Sequence, residues 1–421
     1  MTELQLAYGK TSVSFSFNPD RFQILSSNPS TEQPLTDQEI GEAFTHPIQS
    51  EPLDELFTAG DSVLLVVSDA TRATASGQIL NLMVRRLIQN GVSPADIAII
   101  FATGMHRPVT PEEKIHLLTP FIAQRIRTID HNASDPSQMI NLGSTNRGTP
   151  IGINRALKDF THVVTTGGVG FHYFAGFTGG RKSICPGLAS IQTIEATHLL
   201  TLDPESCGRR AGVGTALLEG NAVHEECEQI AALVAPRFAV NTIVDDNKQA
   251  VAVYAGDWRV AHRAACDDYI ANHSVPIKEQ RDVVIVSCGG SPYDINLIQA
   301  HKALEMAAHA CREGGDIVLL AECRDGIGQE TFLNWFDEEN SNALVRRLVN
   351  NYEVNGQTAW SLLTKAERYR VQLVSTLRES DVVRMRMSPA NSLEEALDNI
   401  GGQRSGFIMP HGARFLPRLQ S

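Results

Sequence analysis

Four stretches of this 421-residue chain place side chains suited to acid/base, metal or anion chemistry at short spacing. Ser68-Asp69-Ala70-Thr71-Arg72 supplies a carboxylate, a hydroxyl and a guanidinium in consecutive residues. An arginine fork of this kind holds a carboxylate through two parallel hydrogen bonds. The same residues also suit a helix start, with Asp69 or Thr71 as the cap and Arg72 in water. Ala102-Thr103-Gly104-Met105-His106-Arg107-Pro108 brings an imidazole, His106, whose ordinary pKa lies near neutrality as a general acid or base requires. A loop histidine is more often structural or solvated.

The third stretch, Gly167 to Gly187, is the densest. It holds Phe171, His172, Tyr173 and Lys182, with six glycines before Lys182 and a seventh at Gly187. Glycines let backbone approach a ligand and offer amide donors to a phosphate; a ligand-free glycine-rich turn is the plain alternative. A Walker loop is excluded, because Arg181 separates the last glycine from Lys182. Beyond it, His198 falls in a helix expected over Ile191 to Leu200. A lone helical histidine is usually structural, but a neutral imidazole suits nickel, copper or zinc. The fourth stretch runs from Ser287 through Gly289, Gly290, Pro292 and Asp294 into a helix on which Gln299 and Lys302 share a face. That pair suits a carboxylate and a neighbouring oxygen, or else forms a solvated face with Asp294 as the cap.

The elements that must hold these residues have an α/β grammar. Ser62 to Val67 is an apolar run of strand length, Gly77 to Gln89 has helical spacing, and Ala95 to Ala102 is a second strand. This βαβ unit predicts a parallel sheet covered on both faces, continued by strands near Arg125 to Asp130 and His162 to Thr166. The pattern restarts with Val283 to Ser287, a helix from about Ile295 to Arg312, and Asp316 to Leu320. Thr11 to Phe17 reads as a short opening strand, and the polar, proline-containing Ala271 to Pro276 as the linker between two domains. Ligands in open α/β sheets lie beyond the carboxyl ends of strands, which is where the candidate residues cluster.

Bulk properties narrow the classes of function. With 42% hydrophobic and 20% charged residues the chain is that of a globular protein, and its length favours two domains. A net charge of -12, spread over many short segments, points away from nucleic acid and anionic membranes, so an anionic substrate must be met by local cations. Seven cysteines, odd in number and without a C-x-x-C pair, argue against a disulfide framework and fit a reducing cytoplasm. The opening Met1-Thr2-Glu3-Leu4-Gln5 has no basic region followed by an apolar stretch, so no secretory signal is expected. No apolar run approaches the length of a membrane span.

Taken in order, the four stretches resemble the nickel-dependent lactate racemase family over most of the chain. The sequence carries D-x-T-R from Asp69, A-T-G-x-H-R from Ala102, H-x-x-A-G-[FY]-[ST]-G-G-x-K-x-x-x-P-G from His172, the downstream His198, and G-G-x-P-x-D-x-N-x-x-Q-A-x-K from Gly289. Each motif is modest alone; their ordered combination is specific. The resemblance implies two α/β domains with mainly parallel, Rossmann-like sheets and an active site in the cleft between them. The expected domains are residues 1–274, catalytic and cofactor-binding and rejoined by the tail 405–421, and residues 278–404, contributing substrate-binding groups.

The resemblance further implies a nickel-pincer nucleotide, a pyridinium ring whose carbon and two sulfur substituents bind nickel. Lys182 would tether it and His198 would be the protein's nickel ligand. Asp69, Ala70, Thr71 and Arg72 would contact cofactor or substrate, His106 and His172 would be the catalytic acid/base pair, and Arg72, Gln299 and Lys302 would bind substrate. The chemistry implied is racemisation of a 2-hydroxy acid: one histidine takes the hydroxyl proton as hydride leaves for the cofactor, giving a planar 2-keto acid. Hydride return to the opposite face, with a second histidine reprotonating the oxygen, gives the mirror image. Proteins that build and load the cofactor are implied partners, and self-association into a homo-oligomer stays open. Phe171, Ala73 and Ile298 depart from residues common in relatives, so malate, 2-hydroxyglutarate and aldonic acids such as gluconate compete with lactate as substrates. A non-enzymatic carrier or sensor of the nickel nucleotide would need Lys182 and His198 but not both His106 and His172. A zinc hydrolase would need a three-ligand cluster, and no H-E-x-x-H stands in the sequence.

Overall fold

The apolar run Val63–Ser68 lies in the middle of a six-stranded sheet in the computed structural model, which describes residues 1–27, 33–402 and 404–420. Val63 to Val67 are all buried, as a strand covered on both faces requires. Across the sheet the order is Ala250–Gly256, Phe238–Val244, His162–Gly168, Val63–Ser68, Ile97–Ala102, Arg127–Asp130. All neighbours are parallel except the first pair, which is antiparallel. Alternate side chains of the central strand feed two cores: Leu65 and Val67 enter one with Ile79, Leu80, Met83 and Leu87 of the helix Ser76–Gln89, while Leu64 and Val66 enter the other.

A second six-stranded sheet has the order Ser388–Ala390, Arg370–Val374, Cys311–Leu320, Arg281–Ser287, Gly406–Met409, Phe22–Ile24, parallel throughout. The helix Leu297–Ala310 connects two of its strands, burying Leu297, Ala300, Leu304 and Ala307 at helical spacing. The α/β class with mainly parallel sheets is therefore observed. One unit comprises Met1–Ser30, Leu202–Arg209 and Ala271–Ser421, the other Thr31–Thr201 and Arg210–Ile270.

The domain spans differ from those expected at both chain ends. The N-terminal strands do not join the first sheet: Phe22–Ile24 extends the second sheet beside Gly406–Met409, and Leu6, Phe15, Phe17 and Phe22 pack on Val283, Ile285 and Val318. The alternating apolar residues of Thr11–Phe17 declare a buried face but not which sheet receives it. The tail also stays with the second unit, since Leu416–Leu419 pairs with Ser274–Ile277. The expected linker is the end of the helix Val260–His273 followed by that short strand, because residues 274–277 find a pairing partner. Residues 28–32, 403 and 421, inside the expected spans, lie outside the described residues. No described helix is long and apolar enough to cross a membrane.

Candidate active site

In the first sheet the chain runs from Val63–Ser68 to Ile97–Ala102 on one side and later returns to His162–Gly168 on the other. Strand order reverses there, and the crevice beyond the carboxyl ends of such strands is where open α/β sheets bind ligands. Asp69 to Arg72, Thr103 to Arg107 and Val169 to Lys182 all extend from these three strand ends.

Asp69 is buried, and its carboxylate organises the first loop. Oδ1 accepts from the Thr71 amide at 2.9 Å and the Thr71 hydroxyl at 2.5 Å, while Oδ2 accepts from His106 Nδ1 at 2.7 Å. Burial alone would raise the carboxyl, but hydrogen bonds from His106 and Thr71 and the charges of His106 and Arg72 hold it below the usual carboxylate range. Neither Asp69 nor Thr71 caps the following helix, whose cap residue Ala75 makes no side-chain cap bond. With the proton on Nδ1, neutral His106 has its Nε2 lone pair available as a base. Its side chain is 51% exposed against 6% for Asp69, so the imidazole tip reaches outward from a buried anchor. Arg72 is exposed nearby, whereas Arg107 is engaged by the Glu113 carboxylate at 2.6 and 2.8 Å and serves the loop.

The glycine-rich stretch forms a small hairpin in which Phe171 pairs with Phe177 and His172 with Gly176, followed by a 3-10 turn over Gly180–Ser183 that carries Lys182. Its glycines answer mainly to protein packing, not to an open ligand cradle. A Cβ on Gly180, whose φ is +51°, would stand 2.5 Å from the buried His262 ring, and one on Gly187 would lie 2.8 Å from Ala102 Cβ. The Gly104 amide donates to Gly187 O at 2.8 Å, so the second and third motifs are packed onto one another. Asn241 Oδ1 accepts from the Gly180 amide at 3.0 Å, Ser183 Oγ donates to Thr166 O at 3.0 Å, and the buried Arg181 donates to Ala175 O at 2.6 Å.

This scaffold sets Lys182 Nζ 3.2 Å from His172 Nε2. His172 Nδ1 accepts from the Phe174 and Ala175 amides at 3.5 and 3.3 Å, which puts the ring proton on Nε2, facing the lysine nitrogen. That contact suits an uncharged amine. Burial, with the Arg181 and Arg72 charges adding to it, brings the Lys182 ammonium down to about 7. His198, in the last turn of the helix Ile191–Leu199, is pushed down to about 3 by burial and by the charges of Lys182 and His106. The buried Phe174 ring gathers these groups: its centroid is 4.3 Å from the His172 ring, 5.3 Å from the His198 ring and 5.4 Å from Lys182 Nζ.

The structure thus brings Asp69, Thr71, Arg72, His106, His172, Lys182 and His198, with the backbone of Ala70, to one crevice of one unit. Gln299 and Lys302 lie in the other unit, exposed on one helix face, with Lys302 Nζ donating to Gln299 Oε1 at 2.7 Å. Asn296, not Asp294, caps that helix; Asp294 is buried and accepts from the Gly9 amide at 2.7 Å and the Glu322 amide at 3.2 Å. Phe171, next to His172, packs on Phe177 and Tyr269 with ring centroids 5.6 and 4.9 Å apart. Sequence reasoning passed over Phe174, a candidate only by adjacency to His172. It also passed over His411, Arg414 and Tyr293, which gather by the reversal point of the second sheet, with Arg414 donating to Tyr293 at 3.2 Å.

A nickel-pincer nucleotide fits these residues. An amine near neutrality is a usable nucleophile for a covalent tether, and an imidazole that stays unprotonated keeps a lone pair for a metal. Among the described residues no group of three or more His, Cys, Asp or Glu side chains is set to hold a metal, so a metal at His198 needs ligands beyond the protein's own.

Two six-stranded α/β sheets, with an acid/base and amine cluster at the reversal point of one, define an α/β enzyme. The lactate racemase N-terminal domain matches residues 8–208 and the lactate racemase C-terminal domain residues 277–406. The chain is 30% identical over 408 residues to the lactate racemase of Lactiplantibacillus plantarum and 29% identical over 406 residues to that of Thermoanaerobacterium thermosaccharolyticum, covering 94% of each chain. The structure of the lactate racemase apoprotein from Thermoanaerobacterium thermosaccharolyticum superposes with a TM-score of 0.90 at 27% identity, covering 99% of this chain and 100% of that one. A Thermotoga maritima protein, 18% identical with a TM-score of 0.67, shares the fold. The chain belongs to the lactate racemase family and is an isomerase.

Proposed function

We propose that this enzyme interconverts the stereoisomers of a small 2-hydroxy acid at C2, with a nickel-pincer nucleotide tethered through Lys182 and held by His198. The observation that carries this reading is the convergence of Lys182, His172 and His198 on the Phe174 ring, in the crevice that also holds the Asp69–His106 pair. When bound, the nucleotide supplies a hydride acceptor, which is the chemistry needed to invert a carbon whose hydrogen is not acidic.

The chain's own residues handle protons and charge. Asp69 fixes His106 with Nε2 as acceptor, ready to take the hydroxyl proton, and its negative charge stabilises the imidazolium that forms. His172, whose Nδ1 accepts from two backbone amides, carries its proton on Nε2 and presents it as a hydrogen-bond donor to the oxygen on the opposite face. Arg72 offers a fork for the substrate carboxylate and offsets the negative field of the protein. Gln299 and Lys302 are the groups of the second unit suited to a carboxylate and the neighbouring oxygen. A carrier of the nucleotide would have no use for two imidazoles held in opposite tautomers, one accepting and one donating at Nε2.

The test uses cofactor-loaded protein with single enantiomers of lactate and malate, and with gluconate, followed by chiral chromatography. Appearance of the C2 stereoisomer from one of them, absent in Lys182→Ala protein that also lacks the cofactor mass, is expected. No interconversion of any of these acids by loaded protein would overturn the reading.

A further inference from the structure

Four residues past His198 the chain leaves the first sheet's unit as the hairpin Leu202–Arg209 and re-enters it at Arg210. Leu202 pairs with Arg209 and Asp203 with Gly208. The ladder continues below: the Arg210 amide donates to Thr201 O at 2.9 Å and Arg210 Nε to Leu200 O at 3.0 Å.

The base of this two-stranded ribbon is pinned by a buried charge cluster. Arg209 Nη2 donates to Glu305 Oε1 at 2.9 Å, and its guanidinium lies 5.6 Å from the Trp360 ring centroid. Glu305 stands one helical turn beyond Lys302 on the helix Leu297–Ala310 and is buried. Its other oxygen accepts from Ser361 Oγ at 2.7 Å and from Lys365 Nζ, and Lys365 also donates to Ser361 Oγ at 2.8 Å. Burial would raise the Glu305 carboxyl, yet the charges of Lys365 and Arg209 hold it far below the carboxylate range. Lys365, brought down to about 8 by burial, is kept from falling further by Glu305.

A buried carboxylate needs a compensating charge, and Lys365 supplies one at contact distance, held by Ser361. Arg209 is a second cation on the same carboxylate, and it comes from the ribbon. Its removal leaves Glu305 still paired with Lys365 and Ser361. What its removal takes away is a bond, within one unit, between the Leu202–Arg209 ribbon and the helix of Gln299 and Lys302.

We propose that Arg209 is a positioning residue for substrate binding: through Glu305 it sets the rotation and height of the helix that presents Gln299 and Lys302. The proposal rests on the racemase reading above. Helical periodicity gives the linkage its geometry, because a shift at Glu305 moves Lys302 on the same stack of turns.

The experiment compares wild type, Arg209→Ala and Arg209→Lys as cofactor-loaded full chains, on whichever of lactate, malate and gluconate the wild type turns over, and measures amide hydrogen exchange over residues 299–302. Arg209→Ala is expected to raise KM about tenfold with kcat changed less than about twofold. Its exchange over 299–302 quickens, the mass gained at Lys182 is unchanged, and Arg209→Lys restores most of the KM. Unaltered KM and exchange in Arg209→Ala would overturn the proposal, as would equal losses in kcat and KM that lysine does not rescue. A wild type inert on all three acids overturns the racemase reading and this proposal with it; an active wild type with an unaffected variant overturns the positioning role alone.

Discussion

Asp69 acts on the reaction through His106, and a single atom decides how well. Asp69→Asn keeps the size and the turn to Thr71 but replaces Oδ2, which fixes the His106 proton on Nδ1, by a group able to stabilise the opposite tautomer and unable to balance an imidazolium. We expect kcat to fall by about 10²–10³ with circular dichroism and Tm little changed, as measured by steady-state racemisation and thermal melts. At this scale much was legible, since Asp69, His106, His172, Lys182 and His198 are of types whose chemistry is plain and most directly follow buried strands. Phe174 was not legible, because an aromatic residue beside a histidine gives no sign whether its ring packs inward or gathers three functional groups around itself. Gly180 and Gly187 are small because His262 and Ala102 press against them, which glycine content alone does not reveal.

The turn Gly180–Ser183 is the element that aims Lys182, and it tolerates no side chain at its start. Gly180→Ala must place a Cβ at a φ of +51° and 2.5 Å from the His262 ring, which is buried under Thr178 O. The loss expected in a denaturant titration is about 2–5 kcal/mol, from backbone strain plus overpacking. Strands and helices with clear periodicity were readable to within a residue or two, as for Ser76–Gln89, Ile97–Ala102 and Ile191–Leu199. Pairings between distant segments were not. Nothing in Phe22–Ile24 or Ser274–Ile277 names its partner, since a short strand satisfies its backbone on any open edge. The Leu202–Arg209 hairpin is the sharpest case: eight residues inside one unit's sequence belong to the other, held there by contacts such as Arg209 with buried Glu305 and Arg346 with Cys207 that no local pattern announces.

For the molecule as a whole, the buried neutral histidines make stability depend on pH. His131 donates from Nε2 to Ala189 O at 3.2 Å and accepts at Nδ1 from Asn154 at 3.1 Å, and burial pushes it down to about 4. Its folded pKa lies below the unfolded value of about 6.5, so the unfolded chain takes up the proton first as pH falls. Stability from this residue is therefore full above the unfolded pKa, declines as pH drops toward about 4 and then levels. The slope contributed is about 1.4 kcal/mol per pH unit, and urea titrations of a His131→Gln variant should show a correspondingly flatter dependence across that window. The two-sheet architecture was foreseeable from the repeated strand–helix–strand grammar, whereas the allotment of both termini to the second unit depends on packing that no local pattern encodes. The central claim is inversion at C2 by hydride removal and return. It is tested most directly by running the loaded enzyme on one lactate enantiomer in D2O and recording the proton NMR spectrum of the newly formed enantiomer. The account predicts that the opposite enantiomer appears with its C2 hydrogen retained; opposite enantiomer carrying deuterium at C2, which signals exchange of a proton with solvent, would contradict it.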